Sequence, residues 1–242
     1  MSETTKRICV WSGPRNISTA LMYSFAQRAD TRAVDEPLYG FYLAECGAEH
    51  PGHGELRDQL DPDGGRVARD VILGDCDRPV LFLKQMAHHL VGDLDWSFMQ
   101  RTVNVLLARD PEQMLPSLNV QVPGPTMRDA GYDKLARILD YCEDAGQQVP
   151  VLDSRDLQND PEGVLRQLCE RVDIPWDPAM LSWPAGPKPY DGPWAPYWYH
   201  NVHRSTGFSP YKAKTAPFPG ELKPLLAKCM PIYERLSALA IR

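Results

Sequence analysis

The chain has 242 residues, 43% of them hydrophobic, with 26 Lys and Arg against 32 Asp and Glu and a formal net charge of −6 at pH 7. Such a length can bury a sizeable core as one α/β unit over 1–242, whereas the acidic balance and the lack of a long Lys/Arg run argue against nucleic acid or an anionic membrane as partner. No apolar stretch reaches the length of a membrane span and the polar start Met1–Lys6 carries no apolar leader region, so a cytoplasmic protein is expected.

The first element is a short apolar strand, Ile8–Trp11, followed by Ser12-Gly13-Pro14-Arg15-Asn16-Ile17-Ser18-Thr19 and a helical pattern over Ser18–Arg28. A loop that feeds a helix N-terminus offers unpaired backbone N–H groups and the positive end of the helix dipole, which suits a phosphate or sulfate. Arg15 adds full charge there; Ser18 and Thr19 add hydroxyls. The nucleotide-binding pattern G-x-x-x-x-G-K-[ST] fails at two places, since Ser18 stands where its second glycine belongs and Thr19 where its lysine belongs.

Strands are then expected at Thr31–Asp35 and Pro79–Leu83, and helices at Leu38–Ala44 and Gly65–Leu73, with Cys46–Asp63 as a rim loop. Glu36 and the segment Lys84-Gln85-Met86-Ala87-His88-His89 follow the tips of those two strands. The run Thr102–Ala108 reads as a buried strand that delivers Arg109 to its tip, and Pro111 suits the first turn of a helix over Pro111–Val120 that carries Ser117. Helices over Tyr132–Ala145, Pro161–Val172 and Glu221–Ala240 and a strand at Val149–Leu152 complete a β–α alternation. That alternation implies an α/β fold, a parallel β-sheet flanked by helices. In open parallel sheets ligands sit beyond the carboxyl ends of the strands, which puts Arg109, Glu36 and the Gly13–Thr19 loop on one rim.

From 176 to 219 the composition turns to Pro, Trp and Tyr, including Trp183, Trp194, Trp198 and Tyr199, which excludes long helices and suggests a lid over a binding site. The six cysteines lie far apart with no C-x-x-C pair and read as reduced, mostly buried thiols. His50/His53 and His200/His203 have ligand-like local spacing but no third ligand of obvious type nearby, so no metal is expected.

Pro14-Arg15-Asn16-Ile17-Ser18-Thr19 resembles P-[KR]-x-x-[ST]-[ST], the 5′-phosphosulfate loop of the sulfotransferases that use 3′-phosphoadenosine 5′-phosphosulfate (PAPS). Arg109-Asp110-Pro111-Glu112-Gln113-Met114-Leu115-Pro116-Ser117 is similar to the R-[ND]-P-x-x-x-x-x-S segment with which that family grips the 3′-phosphate, and Val149–Glu162 resembles its strand followed by a "Y-E-D-L…D-P" turn. The resemblance covers roughly residues 7–175. It implies a P-loop NTPase-like sulfotransferase fold and sulfuryl transfer from PAPS to a small-molecule acceptor, with no metal cofactor.

By the same resemblance Gly13, Pro14, Arg15, Asn16, Ile17, Ser18 and Thr19 would hold the 5′-phosphosulfate, and Arg109 and Ser117 the 3′-phosphate. Arg15 would stabilise charge on the leaving phosphate, since a guanidinium does not readily give up a proton. Glu36 is the first choice for the base that takes the acceptor proton, with His88 or His89 next and Lys84 bridging the sulfuryl oxygens. His203-Arg204-Ser205-Thr206-Gly207 is the nearest match to the family's basic C-terminal loop, and no 3′-phosphate role is carried onto Arg204. An atypical P-loop kinase for a small metabolite and a catalytically silent nucleotide-binding module are the alternatives.

Overall fold

The computed structural model describes residues 5–47 and 50–242, apart from the side chains of His53 and Arg57. Five strands, β1 (Lys6–Ser12), β2 (Thr31–Asp35), β3 (Val80–Met86), β4 (Val103–Ala108) and β5 (Val151–Asp153), form one sheet in the order β2-β3-β1-β4-β5, every neighbouring pair parallel. β1 lies at the centre because it is apolar on both faces: Cys9 and Trp11 face one layer, Ile8 and Val10 the other, and all four are fully buried. Such two-sided burial is what the near-continuous apolar runs of parallel strands require.

On the Cys9/Trp11 side pack the helices Tyr132–Asp144 and Lys223–Ala238, through Leu135, Ile138, Leu139 and Cys229, Tyr233, Leu236. The opposite side is covered by α1 (Ser18–Phe25), which contributes Leu21, Met22 and Phe25, and by Pro161–Arg171, whose Val164, Leu165 and Leu168 repeat at helical spacing. Each such buried aliphatic or aromatic side chain contributes about 1.5–3 kcal/mol. The helix that follows β4, Pro111–Gln121, starts with Pro111 at its first turn and Asp110 capping it through Glu112 N at 2.8 Å.

Several boundaries differ from the sequence expectation. β3 runs on to Met86, because Phe82 and Leu83 continue into Lys84 and Gln85 that are buried as well, so Lys84 sits inside the strand instead of beyond it. His88 and His89 occupy a 3₁₀ turn, Ala87–His89, immediately after that strand, and both are buried. The expected loop Cys46–Asp63 contains helical turns at His53–Leu56 and Arg57–Gln59, and the expected helix Gly65–Leu73 divides into an α turn, Gly64–Val67, and a π turn, Ala68–Ile72. The Pro- and aromatic-rich segment 176–219 is indeed without long helices, holding the short turns Pro178–Leu181, Ala195–Trp198 and Val202–Arg204.

Candidate functional site

A cavity of about 340 Å³ opens at the carboxyl ends of β1, β2, β3 and β4, lined by the Pro14–Ala20 loop, Glu36, Lys84, Arg109 and residues of the 176–219 segment. The loop after β1 is shaped by its backbone. Arg15 and Ile17 hold φ of 60° and 59°, left-handed values unusual for residues with side chains, and Gly13 lies so near the Ala130 carbonyl that a Cβ would approach its oxygen to 2.7 Å. Buried Asn16 pins the loop to the end of β4 by donating to Leu107 O at 3.1 Å. No side chain caps the first turn of α1, whose N-cap is Ile17. Its first amides are therefore left for another acceptor.

Arg15 and Arg109, separated by 94 positions in sequence, meet here. Arg109 Nη1 donates to Arg15 O at 2.6 Å, and Arg15 Nε donates to Ser117 Oγ at 3.1 Å. The Tyr132 hydroxyl donates to Arg109 O and fixes the strand tip from below. Burial, together with the neighbouring Arg109 charge, lowers the pKa of Arg15, and burial lowers that of Arg109 as well. Neither guanidinium is in an ion pair with a described carboxylate, and Arg109 Nε is buried without a partner. Two desolvated like charges side by side are an electrostatic deficit that an anion would relieve. Lys214 adds a third: partial burial and the charges of Arg109 and Arg15 hold its pKa below the ordinary lysine value, while its backbone N–H donates to Gln113 Oε1 at 2.8 Å. Lys214 is not among the site residues that the sequence pattern singles out. The only signal for it was Lys212-Ala213-Lys214 within an otherwise uncharged Pro-rich stretch.

The other end of the cavity is built around Lys84. Its ammonium donates to Asp35 Oδ1 at 2.9 Å, to Tyr199 OH at 2.7 Å and to Glu36 Oε1, which uses all three of its N–H groups. Asp35 also accepts from Tyr199 OH and from Gly192 N at 3.0 Å, and Tyr199 OH accepts from Trp194 Nε1 at 3.1 Å. Glu36 leaves β2 with a positive φ of 39°, which turns its side chain toward Lys84 while its N–H continues the strand pairing to Lys84 O at 2.8 Å. Burial pushes the Glu36 carboxyl above the ordinary range, with Lys84 pulling the other way. Burial alone would lower Lys84, but Asp35 and Glu36 outweigh it and keep the ammonium protonated.

His88 and His89 stand beside this cluster against the rings of Tyr39 and Tyr42. Burial lowers His88 to about 3, and His89 falls well below its ordinary value for the same reason, so both are neutral near pH 7. His89 Nε2 lies 3.8 Å from Glu36 Oε2. Tyr39 OH is 2.9 Å from His50 Nδ1; the side chain of His53 lies outside the described residues. Among the described residues no group of three or more His, Cys, Asp or Glu could hold a metal ion. Arg204 is exposed and bonded to Asn201 Oδ1 at 2.7 Å, and it is not one of the cavity residues. The structure thus gathers Arg15, Ser117 and Arg109 at one end and Glu36, Lys84, His88 and His89 at the other. Asp35, Tyr199 and Trp194 had gone unrecognised as members of the cluster.

Among the described residues no helix is long and apolar enough to cross a membrane. The chain is 40% identical over 93% of its length to "Branched-chain-amino-acid aminotransferase-like protein 1" of Arabidopsis thaliana, and 39% identical over 95% to the like-named protein 2. It spans about two fifths of the length of those relatives, 40% and 41% respectively. In fold it is similar to the sulfotransferase domain of the Synechococcus PCC 7002 olefin synthase (TM-score 0.56, 17% identity, 94% of this chain and 96% of that one). It is also similar to a sulfotransferase from Alicyclobacillus acidocaldarius (TM-score 0.54, 12% identity, 98% and 96%). The family described as "Sulfotransferase domain" matches residues 6–240. With five parallel strands, an anion-suited loop at their carboxyl rim and this match over nearly its whole length, the chain belongs to the sulfotransferase domain family.

Proposed function

We propose that this chain transfers a sulfuryl group from PAPS to a hydroxyl or amine of a small-molecule acceptor, releasing 3′,5′-ADP. The observation that carries the reading is the pair Arg15 and Arg109 without carboxylate partners, in one cavity with the buried carboxylate Glu36 and with the Lys214 charge felt from nearby. The residues present suit such a donor: the uncapped α1 amides and the partnerless Nε of Arg109 both call for an anion with several oxygens.

On this reading Gly13–Thr19 hold the 5′-phosphosulfate, and Arg109 with Lys214 and Ser117 holds the 3′-phosphate. Sulfuryl transfer, like phosphoryl transfer, depends mainly on in-line positioning and on stabilising charge at the peripheral and leaving oxygens. Arg15 supplies that charge from the loop. Glu36, its basicity raised by burial, takes the proton of the acceptor, whereas the neutral histidines with pKa values far below 7 are weak bases there. Lys84, with three acceptors already engaged, serves first to orient Glu36; bridging the sulfuryl oxygens would require it to give up one of them. Residues 176–219 act as the cover over both substrates within one domain.

Thermal unfolding with added ligand tests this directly. Saturating 3′,5′-ADP should raise Tm by an amount that follows RT ln(1 + [L]/Kd), and ATP with Mg²⁺ should leave it unchanged. Stabilisation by ATP–Mg²⁺ alone would instead favour a small-metabolite kinase. Binding of 3′,5′-ADP without any transfer of labelled sulfate from PAPS across a metabolite extract would favour a silent nucleotide-binding module.

A further inference from the structure

Tyr199 belongs to the cover and Asp35 to the sheet, yet their contact is as tight as any in the site. The phenol hydroxyl stands 2.8 Å from Asp35 Oδ2 and 3.0 Å from Oδ1, while accepting from Lys84 Nζ at 2.7 Å and from Trp194 Nε1 at 3.1 Å. One donor proton and two acceptor positions are thereby all used. Asp35 in turn accepts from Lys84, Tyr199 and the Gly192 amide, so β3 and the cover both converge on one carboxylate that is 7% exposed. Such a buried carboxylate is tolerated only because each oxygen is met. Both Trp194 and Gly192 lie within the same stretch of the cover as Tyr199.

We infer that Asp35 and Tyr199 are positioning residues: Asp35 compensates the charge of Lys84 so that Glu36 keeps its basicity, and Tyr199 ties the 192–199 part of the cover to the same carboxylate, so that seating the cover and aiming the base are one event. This rests on Glu36 as the base. With a single carboxylate beside it, Lys84 would place its full positive charge on Glu36 and hold that carboxylate in its ionised, weakly basic form; a second carboxylate on the far side divides that charge. The titratable groups that face Glu36 are Asp35 on its own strand, Lys84 on β3, His89 on the turn after β3, Tyr39 at the start of the helix Tyr39–Cys46, and Tyr199 in the cover. His89 stays neutral and the two phenols un-ionised over the useful range. Asp35 and Lys84 are left to set the balance.

The experiment is a carboxyl ¹³C NMR titration of the full chain saturated with 3′,5′-ADP, the Glu36 resonance being assigned by its loss in Glu36→Gln. In Asp35→Asn the Glu36 midpoint should fall by about 1 pH unit or more, the direction expected when a negative neighbour is removed. A variant that is merely less stable, with the midpoint unmoved, overturns the inference. Should Asp35→Asn not fold, Tyr199→Phe keeps the ring and every charge. It should speed hydrogen exchange of the Gly192 amide about tenfold or more, the scale of a lost hydrogen bond to a charged group, and unchanged exchange overturns the tie. Glu36→Gln with full sulfuryl transfer would instead sink the base assignment while leaving these titrations as they are, so the two failures are distinguishable.

Discussion

The two ends of the cavity solve opposite electrostatic problems. At the Arg15/Arg109 end the protein gathers cations and withholds carboxylates, leaving the buried Nε of Arg109 without a partner. Around Lys84 every donor of the ammonium is engaged by a protein acceptor, and the nearby histidines are held neutral. An end whose cations are left unmatched is one that a charged ligand finishes; an end whose cation is matched within the protein is one where geometry is kept ready for an uncharged partner. On the proposed function, the first half would bind through charge and the second would act on a proton.

The largest effect that could break this comparison is at Glu36. Glu36→Gln retains the shape and one acceptor oxygen for Lys84 but removes the base, so turnover should fall by about 10²–10⁴ while 3′,5′-ADP binds as before. His88→Ala and His89→Ala should be milder. A nearly active Glu36→Gln beside a dead histidine variant would move the base to that histidine. Next in size, Arg15→Ala should lower kcat by about 10²–10³, more than it weakens nucleotide binding, because the charge it meets develops on the leaving phosphate. Unchanged kcat would shift that task to Lys84.

A smaller effect sharpens the cationic end. Arg109→Ala should weaken 3′,5′-ADP binding by about 1.5–3 kcal/mol while affecting adenosine 5′-phosphosulfate much less, a contrast that calorimetry with the two nucleotides measures. Equal losses would mean that Arg109 only props up the loop through Arg15 O. Lys214→Ala, removing a more exposed charge, should cost less and lose its effect in high salt.

Apart from Lys214, the cationic end is legible in sequence because its parts are contiguous: a strand, then Gly13–Thr19, then a helix, and again a strand, then Arg109, then a helix bearing Ser117. The strand pattern was legible for a related reason, since parallel strands buried on both faces read as apolar runs such as Thr102–Ala108. Where a polar residue is buried inside such a run, as Lys84 and Gln85 are, the apolar pattern stops early and places the end of β3 at Leu83. Glu36, Lys84 and the two histidines are expected from sequence, but their union with Asp35 and Tyr199 is not, for a deeper reason. Asp35, Lys84 and Tyr199 lie 49 and 115 positions apart along the chain, and what unites them is charge compensation in a buried place, a property of the packed state that no local spacing encodes. Tyr199 looked like one more ring in an aromatic-rich segment; only its hydroxyl distinguishes it.

The last test concerns the histidines that crowd the Lys84 end, and it reads stability instead of turnover. His88 is neutral in the folded chain down to about pH 3, because burial and the neighbouring His50 disfavour its charged form, whereas an unfolded histidine protonates near 6.5. Between those two values the unfolded chain binds the extra proton. Folding stability from this group is therefore complete above about pH 6.5 and declines as the pH falls toward 3. At pH 5 one such histidine should account for roughly 1–2 kcal/mol of lost stability relative to pH 7. Urea unfolding of wild type and His88→Asn at both pH values isolates it: the substitution should flatten the decline between pH 7 and 5 even if it lowers stability throughout. An equal decline in both chains would mean that His88 is protonated in the folded protein near pH 5, leaving a charge at the end of the cavity where the comparison requires none.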